Sequence, residues 1–211
     1  MGGPIGLLSK SPELFILWII AVLFTLTIHE FAHAAVAYLF GDDTAKQMGR
    51  LTLNPLPHID ILGFLMLLFI GFGWAKPVPV NPYNLKNPKK SSGLVAVAGP
   101  LANLLVAIIF IIALKIVAPI LGPSNLLVSF LFMTMSISVI FAIFNIIPIP
   151  PLDGSKVLFS VLPDKYNDLK HKLSVNGPFI LVAIILLDSF SPFSIFSWLF
   201  GWVFQLLPFI L

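Results

Sequence analysis

Residues 23–40 read LFTLTIHEFAHAAVAYLF, a stretch that is almost wholly apolar yet carries His29, Glu30 and His33. Apolar runs of about 18 residues or more are typical of helices that span a bilayer. Ionisable side chains are costly in such a helix, and those that occur there usually face a protein interior or a water-filled cavity. The stretch therefore predicts a membrane helix that carries a functional polar cluster.

The composition of the whole chain agrees with a membrane location. Of 211 residues, 58% are hydrophobic and 10% are charged, whereas about a quarter of an average soluble domain is charged. The net charge of +3 is small, and nothing indicates a nucleic-acid partner. The chain has no cysteine, so disulfides and thiolate ligands are excluded and a metal ion must be held by His, Asp or Glu.

Long apolar runs predict an all-α polytopic membrane protein that forms a single domain over residues 1–211. We expect three spanning helices at 14–40, 94–121 and 126–149, the last two joined tightly by GPSN as an antiparallel hairpin. The apolar stretch 61–75 is short and contains three glycines, which favours a re-entrant segment. The tail at 177–211 is apolar and predicts further C-terminal helices.

Two further stretches are expected outside the spanning helices. The run LTLNPLPHID at 51–60 alternates and contains two prolines, so an extended or strand-like conformation is expected. The charged stretch 155–176 is expected to be a loop.

Cations predict the orientation in the bilayer. If 61–75 re-enters, the loops 41–60, 76–93 and 155–176 share one side and hold ten of the chain's twelve cations: Lys46, Arg50, Lys76, Lys86, Lys89, Lys90, Lys156, Lys165, Lys170 and Lys172. Positively charged loops favour the cytosolic side. The expected location is the cell membrane, with the polar cluster toward the cytosol.

The cluster has the spacing of a metal-binding motif. His29 and His33 lie four residues apart, which places them on one face of a helix where both imidazoles can reach one ion. Glu30 flanks that face. In this HExxH pattern the glutamate is a general base: a bound metal lowers the pKa of a water molecule, and Glu30 accepts its proton and passes it to the leaving nitrogen.

A catalytic zinc needs a third protein ligand. The remaining histidines, His58 and His171, and the remaining glutamate, Glu13, are possible, but Asp153 in FNIIPIPPLDG is the better candidate. It follows the predicted 126–149 helix at the cytosolic end. Taken alone, such an aspartate is also typical of a turn or a helix cap.

Together these motifs resemble a known family. HEFAH in one membrane helix and NIIPIPPLDG after a later one, with AGPLANLL, GRLTLNPLPHID and GWAKPVPVNP, resemble the site-2 protease family of intramembrane zinc metalloproteases, in a compact prokaryotic branch. The resemblance covers about residues 14–160, the expected catalytic core.

The resemblance implies one Zn²⁺ per chain, held by His29, His33 and Asp153, with Glu30 as catalytic base. It implies that the substrates are transmembrane proteins or peptides, cut in or near the bilayer. It also implies a small membrane-associated β element between the motif-bearing helices, which could pair with a substrate strand. Many relatives carry a PDZ or CBS domain, and we expect none in this chain.

Three further residues are candidates for binding substrate. Asn145 could stabilise an oxyanion or bind a substrate backbone, or simply join helices by a hydrogen bond. Asn103 could reach the active site or staple helices together. His58 could bind substrate or support a ligand histidine, or lie in an interfacial loop.

Other functions compete with proteolysis at this stage. A divalent-metal transporter would use the same ligands, but acidic or histidine residues are lacking in the predicted outer half. A non-proteolytic protein that binds transmembrane helices would not need Glu30. A membrane protease with a glutamate as third ligand would have only Glu13 available. The sequence does not specify the oligomeric state.

Overall fold

The computed structural model describes residues 4–190 and Gly201. Its eight α-helices within those residues are α1 (Ile5–Lys10), α2 (Pro12–Leu39), α3 (Thr44–Gln47), α4 (Ile61–Ile70), α5 (Pro88–Leu121), α6 (Leu126–Ile146), α7 (Asp153–Val161) and α8 (Asn167–Phe190). Single 3₁₀ turns lie at Leu56–His58, Pro82–Asn84 and Asp164–Tyr166.

Four helical stretches of the described residues are long and apolar enough to cross a bilayer. They are Pro12–Leu39, Pro88–Leu121, Leu126–Ile146 and Asp164–Asp188. The first three confirm the predicted spanning helices, and the chain is an all-α polytopic membrane protein.

The core lies where α2, α5 and α6 pack together. Its buried apolar centre between α5 and α6 consists of Ala107, Leu114, Val128, Leu131 and Met135. Thr25 of α2 and Ser138 of α6, both fully buried, share a hydrogen bond of 3.1 Å. This polar pair joins two helices that otherwise meet through apolar side chains.

Two helix boundaries differ from those expected. Helix α5 begins at Pro88, six residues before the predicted start at 94, because Asn87 caps it by accepting from Lys90 N–H and proline is favoured in a first turn. Helix α6 ends at Ile146 rather than at 149, shortly before Pro148, since the residue before a proline disfavours helical geometry.

The stretch 61–75 turns back instead of continuing across. Helix α4 ends at Gly71 in the left-handed conformation (φ 86°), and residues 72–81, which have no regular secondary structure, lead back past Lys76, whose N–H donates to His58 O at 3.0 Å. Gly63 and Gly73 allow the two limbs to touch, since a Cβ at Gly73 would lie 2.1 Å from Gly63 O. This geometry matches the predicted re-entrant segment.

The predicted β element is not a sheet: the described residues contain no β-strand. The stretch 51–60 forms bends and a 3₁₀ turn, because prolines 55 and 57 remove the amide donors that a strand ladder requires. Residues 72–81 have no regular secondary structure, and we call them the return segment.

The charged stretch 155–176 is helical for most of its length, so its prediction as a loop was wrong. It holds most of α7 and the first turns of α8, which continues through Pro178 into the apolar tail. Its Lys, Leu and Asp residues tolerate a helix once the segment packs against others. Of the predicted helical tail 177–211, the part at 191–200 and 202–211 lies outside the described residues.

Candidate metal centre and cavity

Helix α2 brings His29 and His33 together. Their rings meet edge to face with centroids 4.6 Å apart, and their Nε2 atoms are 3.0 Å apart. Both side chains are buried. The spacing of four residues puts them one turn apart on the face of α2 that α5 covers.

Asp153 reaches the histidines from the first turn of α7. Its Oδ2 lies 3.0 Å from Nε2 of both His29 and His33. The start of α7 packs tightly on the end of α6, where a Cβ at Gly154 would lie 2.0 Å from Ile146 O. A glycine after the aspartate is therefore what lets Asp153 approach α2.

The three ligand atoms fit a metal ion. His33 Nδ1 lies 2.7 Å from Val95 O and must donate to it, so the Nε2 of a neutral ring carries a lone pair toward Asp153 Oδ2. Two acceptors 3.0 Å apart repel unless a cation lies between them. Tetrahedral zinc with bonds of about 2.0–2.1 Å separates its ligand atoms by about 3.3 Å, close to the triangle observed.

Asn103 of α5 contacts the far side of His29. Its Nδ2 lies 3.0 Å from His29 Nδ1, while its buried Oδ1 has no partner among the described residues. Rotating the amide by 180° lets Oδ1 accept from Nδ1–H of His29, which satisfies both groups and leaves Nε2 of His29 for a metal. The structure thus places Asn103 of α5 against His29 of α2, so that it both reaches the site and joins two helices, and a contact with substrate stays a prediction.

Asp153 stays a carboxylate in this setting. Burial alone would raise its pKa, but the close contacts of its carboxylate with the imidazoles of His29 and His33, with the positive charge of Lys156, hold the pKa well below its ordinary value. Lys156 Nζ lies 3.1 Å from Asp153 Oδ1. Lys156 was not anticipated as a neighbour, although its spacing of three residues from Asp153 on a helix is a signal for such a pair.

Glu30 is tied to the return segment. Its Oε2 accepts from Val78 N–H at 2.9 Å, and Oε1 has no protein partner among the described residues. Glu30 is 8% exposed and lies beside the two histidines without bonding to them. The Glu30 carboxylate therefore lies next to the three candidate ligands but outside their triangle.

The two other predicted substrate-binding residues lie in different places: Asn145 at the cavity and His58 in the 51–60 stretch. Asn145 lines the cavity beside the site and donates to Phe141 O at 3.0 Å. His58 is fully buried, with Nε2 3.0 Å from Thr52 O and Nδ1 3.5 Å from Arg50. It is not among the metal-binding group of the described residues, which comprises His29, His33 and Asp153. His58 therefore makes its polar side-chain contacts within its own loop, with Thr52 O and Arg50.

The site opens on a cavity of about 1330 Å³ between α2, α4, the return segment, α6 and α8. Its walls carry many apolar side chains, among them Leu26, Phe64, Leu67, Phe141, Phe144 and Leu181. Pockets for small ligands usually measure about 300–1,000 Å³. The volume suits an apolar occupant of the size of a peptide segment.

Buried histidines of an HExxH motif, completed by an aspartate within apolar helices, define a membrane metalloprotease site. The sequence profile described as peptidase family M50 matches residues 117–187, which include Asp153. The chain is similar to "Putative zinc metalloprotease YwhC" of Bacillus subtilis, 41% identical over 161 residues that cover 74% of this chain and 72% of the relative.

Two further relatives carry similar names. "Putative zinc metalloprotease MJ0611" of Methanocaldococcus jannaschii is 35% identical over 144 residues, covering 68% of this chain and 70% of the relative. "Putative zinc metalloprotease Rip2" of Mycobacterium tuberculosis is 29% identical over 205 residues, covering 91% and 74%. No solved structure matches. The chain belongs to peptidase family M50, the site-2 protease family, and its cofactor is zinc.

Proposed function

We propose that this metalloprotease hydrolyses peptide bonds in or near transmembrane segments of other membrane proteins. The observation that carries the proposal is the position of the His29, His33 and Asp153 triangle, with edges of 3.0 Å, on the wall of an apolar cavity of about 1330 Å³. Ligands buried within apolar helices are reachable by a substrate that itself resides in the bilayer.

In this proposal His29, His33 and Asp153 hold the zinc. Bound zinc supplies a Lewis acid that makes water a nucleophile near neutral pH and polarises a carbonyl. Glu30 uses its unpartnered Oε1 to accept the proton of the attacking water and then donates it to the leaving amide nitrogen. Asn145, on the cavity wall, is the candidate that contacts the substrate backbone or the developing oxyanion.

The catalytic unit spans about residues 14–160 and acts from the cytosolic side of the cell membrane. Its support is the packing of three segments at one end of the helices: Lys86 N–H donates to Phe40 O, Lys76 N–H donates to His58 O, and Lys89 Nζ lies 2.7 Å from Asp164 Oδ1. The three segments with the ten cations therefore meet at this end, as the positive-inside rule favours.

The test is a comparison of purified chains in detergent. Zinc content is measured by mass spectrometry and cleavage with a model transmembrane peptide, for wild type, Glu30→Gln and Asp153→Ala. Glu13→Gln is the matched control, because it makes the same change at an exposed position of the same helix. We expect about one zinc in wild type and in both glutamate variants, cleavage by wild type and Glu13→Gln, and metal loss in Asp153→Ala.

Three results would count against the proposal. If wild type holds no metal after zinc loading, the proposed metal centre is excluded. If Glu30→Gln cleaves at the wild-type rate, Glu30 is excluded as the base. A zinc-loaded wild type that cuts no transmembrane peptide supports the rival view of a protein that binds helices without proteolysis.

A further inference from the structure

Arg50 is the only arginine of the chain, and it is buried with 5% exposed surface. A local turn directs it inward: Gly49 has φ 67°, and Arg50 N–H donates to Ala45 O at 2.7 Å to close the end of α3. No carboxylate lies within ion-pair distance of it among the described residues. Burying a guanidinium without such a partner is costly, so its position calls for a role.

The guanidinium holds the return segment at Lys76. Nη2 of Arg50 donates to Lys76 O at 2.5 Å and lies 3.5 Å from His58 Nδ1. Lys76 N–H donates to His58 O at 3.0 Å. Both main-chain groups of Lys76 are thus bound on the side of the segment that faces Arg50 and His58.

Prolines limit which main-chain amides of the return segment can donate a hydrogen bond. Pro77 and Pro79 have no N–H, so Val78 carries the single amide donor between Lys76 and Val80. One residue, Pro77, separates Lys76 from Val78, and its ring fixes φ near about −65°. Anchoring Lys76 therefore directs Val78 N–H toward the protein, where it meets Glu30 Oε2 at 2.9 Å.

Arg50 and Glu30, at the two ends of this chain of contacts, carry opposite charges. Burial lowers the pKa of the Arg50 guanidinium below its ordinary value, and the negative charge of Glu30 partly offsets that effect. The attraction acts through the low-dielectric interior, where it is stronger than in water. Arg50 and Glu30 are thus an interacting pair separated by the return segment.

We propose that Arg50 is a positioning residue for the peptidase reaction, acting on Glu30 through Lys76 O and Val78 N–H. It fixes the return segment so that one carboxylate oxygen of Glu30 is held and the other faces the reacting groups. This inference rests on the proposed function, in which Glu30 is the base.

The test uses one substitution at Arg50 and one at Val78, the first and last protein groups of the contacts that lead to Glu30. Arg50→Gln removes the anchor, and Val78→Pro removes the donor to Glu30 without changing charge, at a position already extended before Pro79. Each is expected to lower kcat about 10–100-fold with KM within about two-fold and about one zinc retained. Arg50→Lys, which keeps a single donor, is expected to recover part of kcat.

The double variant and a control decide whether the connection exists. Because both changes act on one contact, Arg50→Gln with Val78→Pro is expected to be no slower than the slower single variant. Lys46→Gln is the matched control for Arg50→Gln: it also replaces a cation by glutamine, at an exposed position of α3 that does not line the cavity. It is expected to cleave at about the wild-type rate.

Amide hydrogen exchange gives a readout that does not depend on cleavage. Arg50→Gln is expected to speed exchange at Lys76 and Val78 about ten-fold or more, because local opening becomes easier. The proposal is overturned if Arg50→Gln keeps the wild-type kcat, keeps the wild-type exchange rate or loses zinc. It is also overturned if the losses of the two single variants add in the double variant. If zinc-loaded wild type cuts nothing, the proposed function fails, and exchange alone decides whether Arg50 holds the segment against Glu30.

Discussion

Gly99 of α5 lies directly against Nε2 of His33 in α2. A Cβ at position 99 would be 2.5 Å from His33 Nε2 and 2.7 Å from His29 Nε2. Non-bonded heavy atoms do not approach this closely, so the absent side chain is what lets α5 cover the two histidines while their Nε2 atoms remain available.

Gly99→Ala is expected to empty the metal site. The added methyl group displaces one or both imidazoles, and zinc content should fall well below one per chain, with loss of cleavage. Metal analysis after gel filtration measures the effect. Gly201→Ala, whose Cβ would meet nothing within 4 Å among the residues that the structure describes, is the control. Full zinc in Gly99→Ala would show that the histidines are not the ligands or that α5 can move away.

Asn103 should matter as an acceptor for His29. Asn103→Ala leaves His29 Nδ1–H without its buried partner, and loss of such a contact typically lowers metal affinity about 10–100-fold. Asn103→Asp keeps an acceptor and is expected to retain most of the affinity. Competition with a fluorescent chelator measures both. Equal defects in the two variants would mean that the amide N–H, and not the carbonyl oxygen, is required.

Lys156 should matter little, although it contacts a ligand. Its side chain is 57% exposed, and ion pairs with an exposed partner contribute about 0.2–1 kcal/mol. Lys156→Met is therefore expected to change zinc affinity by less than about five-fold. The same chelator titration measures it. A loss comparable to that of Asn103→Ala would show that Lys156 fixes the Asp153 carboxylate.

Asp42 should stabilise the junction between α2 and the return segment. It is fully buried and accepts from Asn81 N–H at 2.6 Å, from Asn84 Nδ2 at 3.0 Å and from Thr44 N–H at 3.1 Å. Asp42→Asn is expected to cost about 1–3 kcal/mol and to lower the midpoint of thermal unfolding. Asp43→Asn, at the exposed neighbouring position, is expected to have almost no effect.

The contribution of Asp42 should also depend on pH. Burial raises its pKa, but the hydrogen bonds from Thr44, Asn81 and Asn84 outweigh burial and hold the pKa below the ordinary 3.8. A lowered pKa in the folded state stabilises above the unfolded value and loses that effect as pH falls through the folded value. The difference between wild type and Asp42→Asn should therefore shrink below about pH 4. A difference that grows there would contradict the assignment.

Local signals in the sequence were sufficient for several features. Hydropathy predicted α2, α5 and α6, because lipid exposure imposes apolar residues over about 20 positions. The helical period placed His29 and His33 on one face. Three glycines and a short apolar run predicted that 61–75 turns back. The LDG stretch predicted Asp153 as the third candidate ligand.

The tertiary structure decided what depends on contacts between distant segments. The sequence left open whether Asn103 reaches the site or staples helices, and the structure places its amide against His29. It also left open whether His58 contacts the site or lies in a loop, and the structure gives it partners within its own loop. Arg50, Val78 and Gly99 gain their places only when α2, α5 and the return segment pack together.

The sequence by itself determined the class of the protein and predicted which side chains could hold a metal, because hydropathy and helical spacing are local properties that each segment carries alone. Tertiary structure alone decided which groups face the histidines and Glu30. Those contacts join residues up to 124 positions apart, as in His29 and Asp153, and they depend on how closely backbones approach, which no single segment encodes.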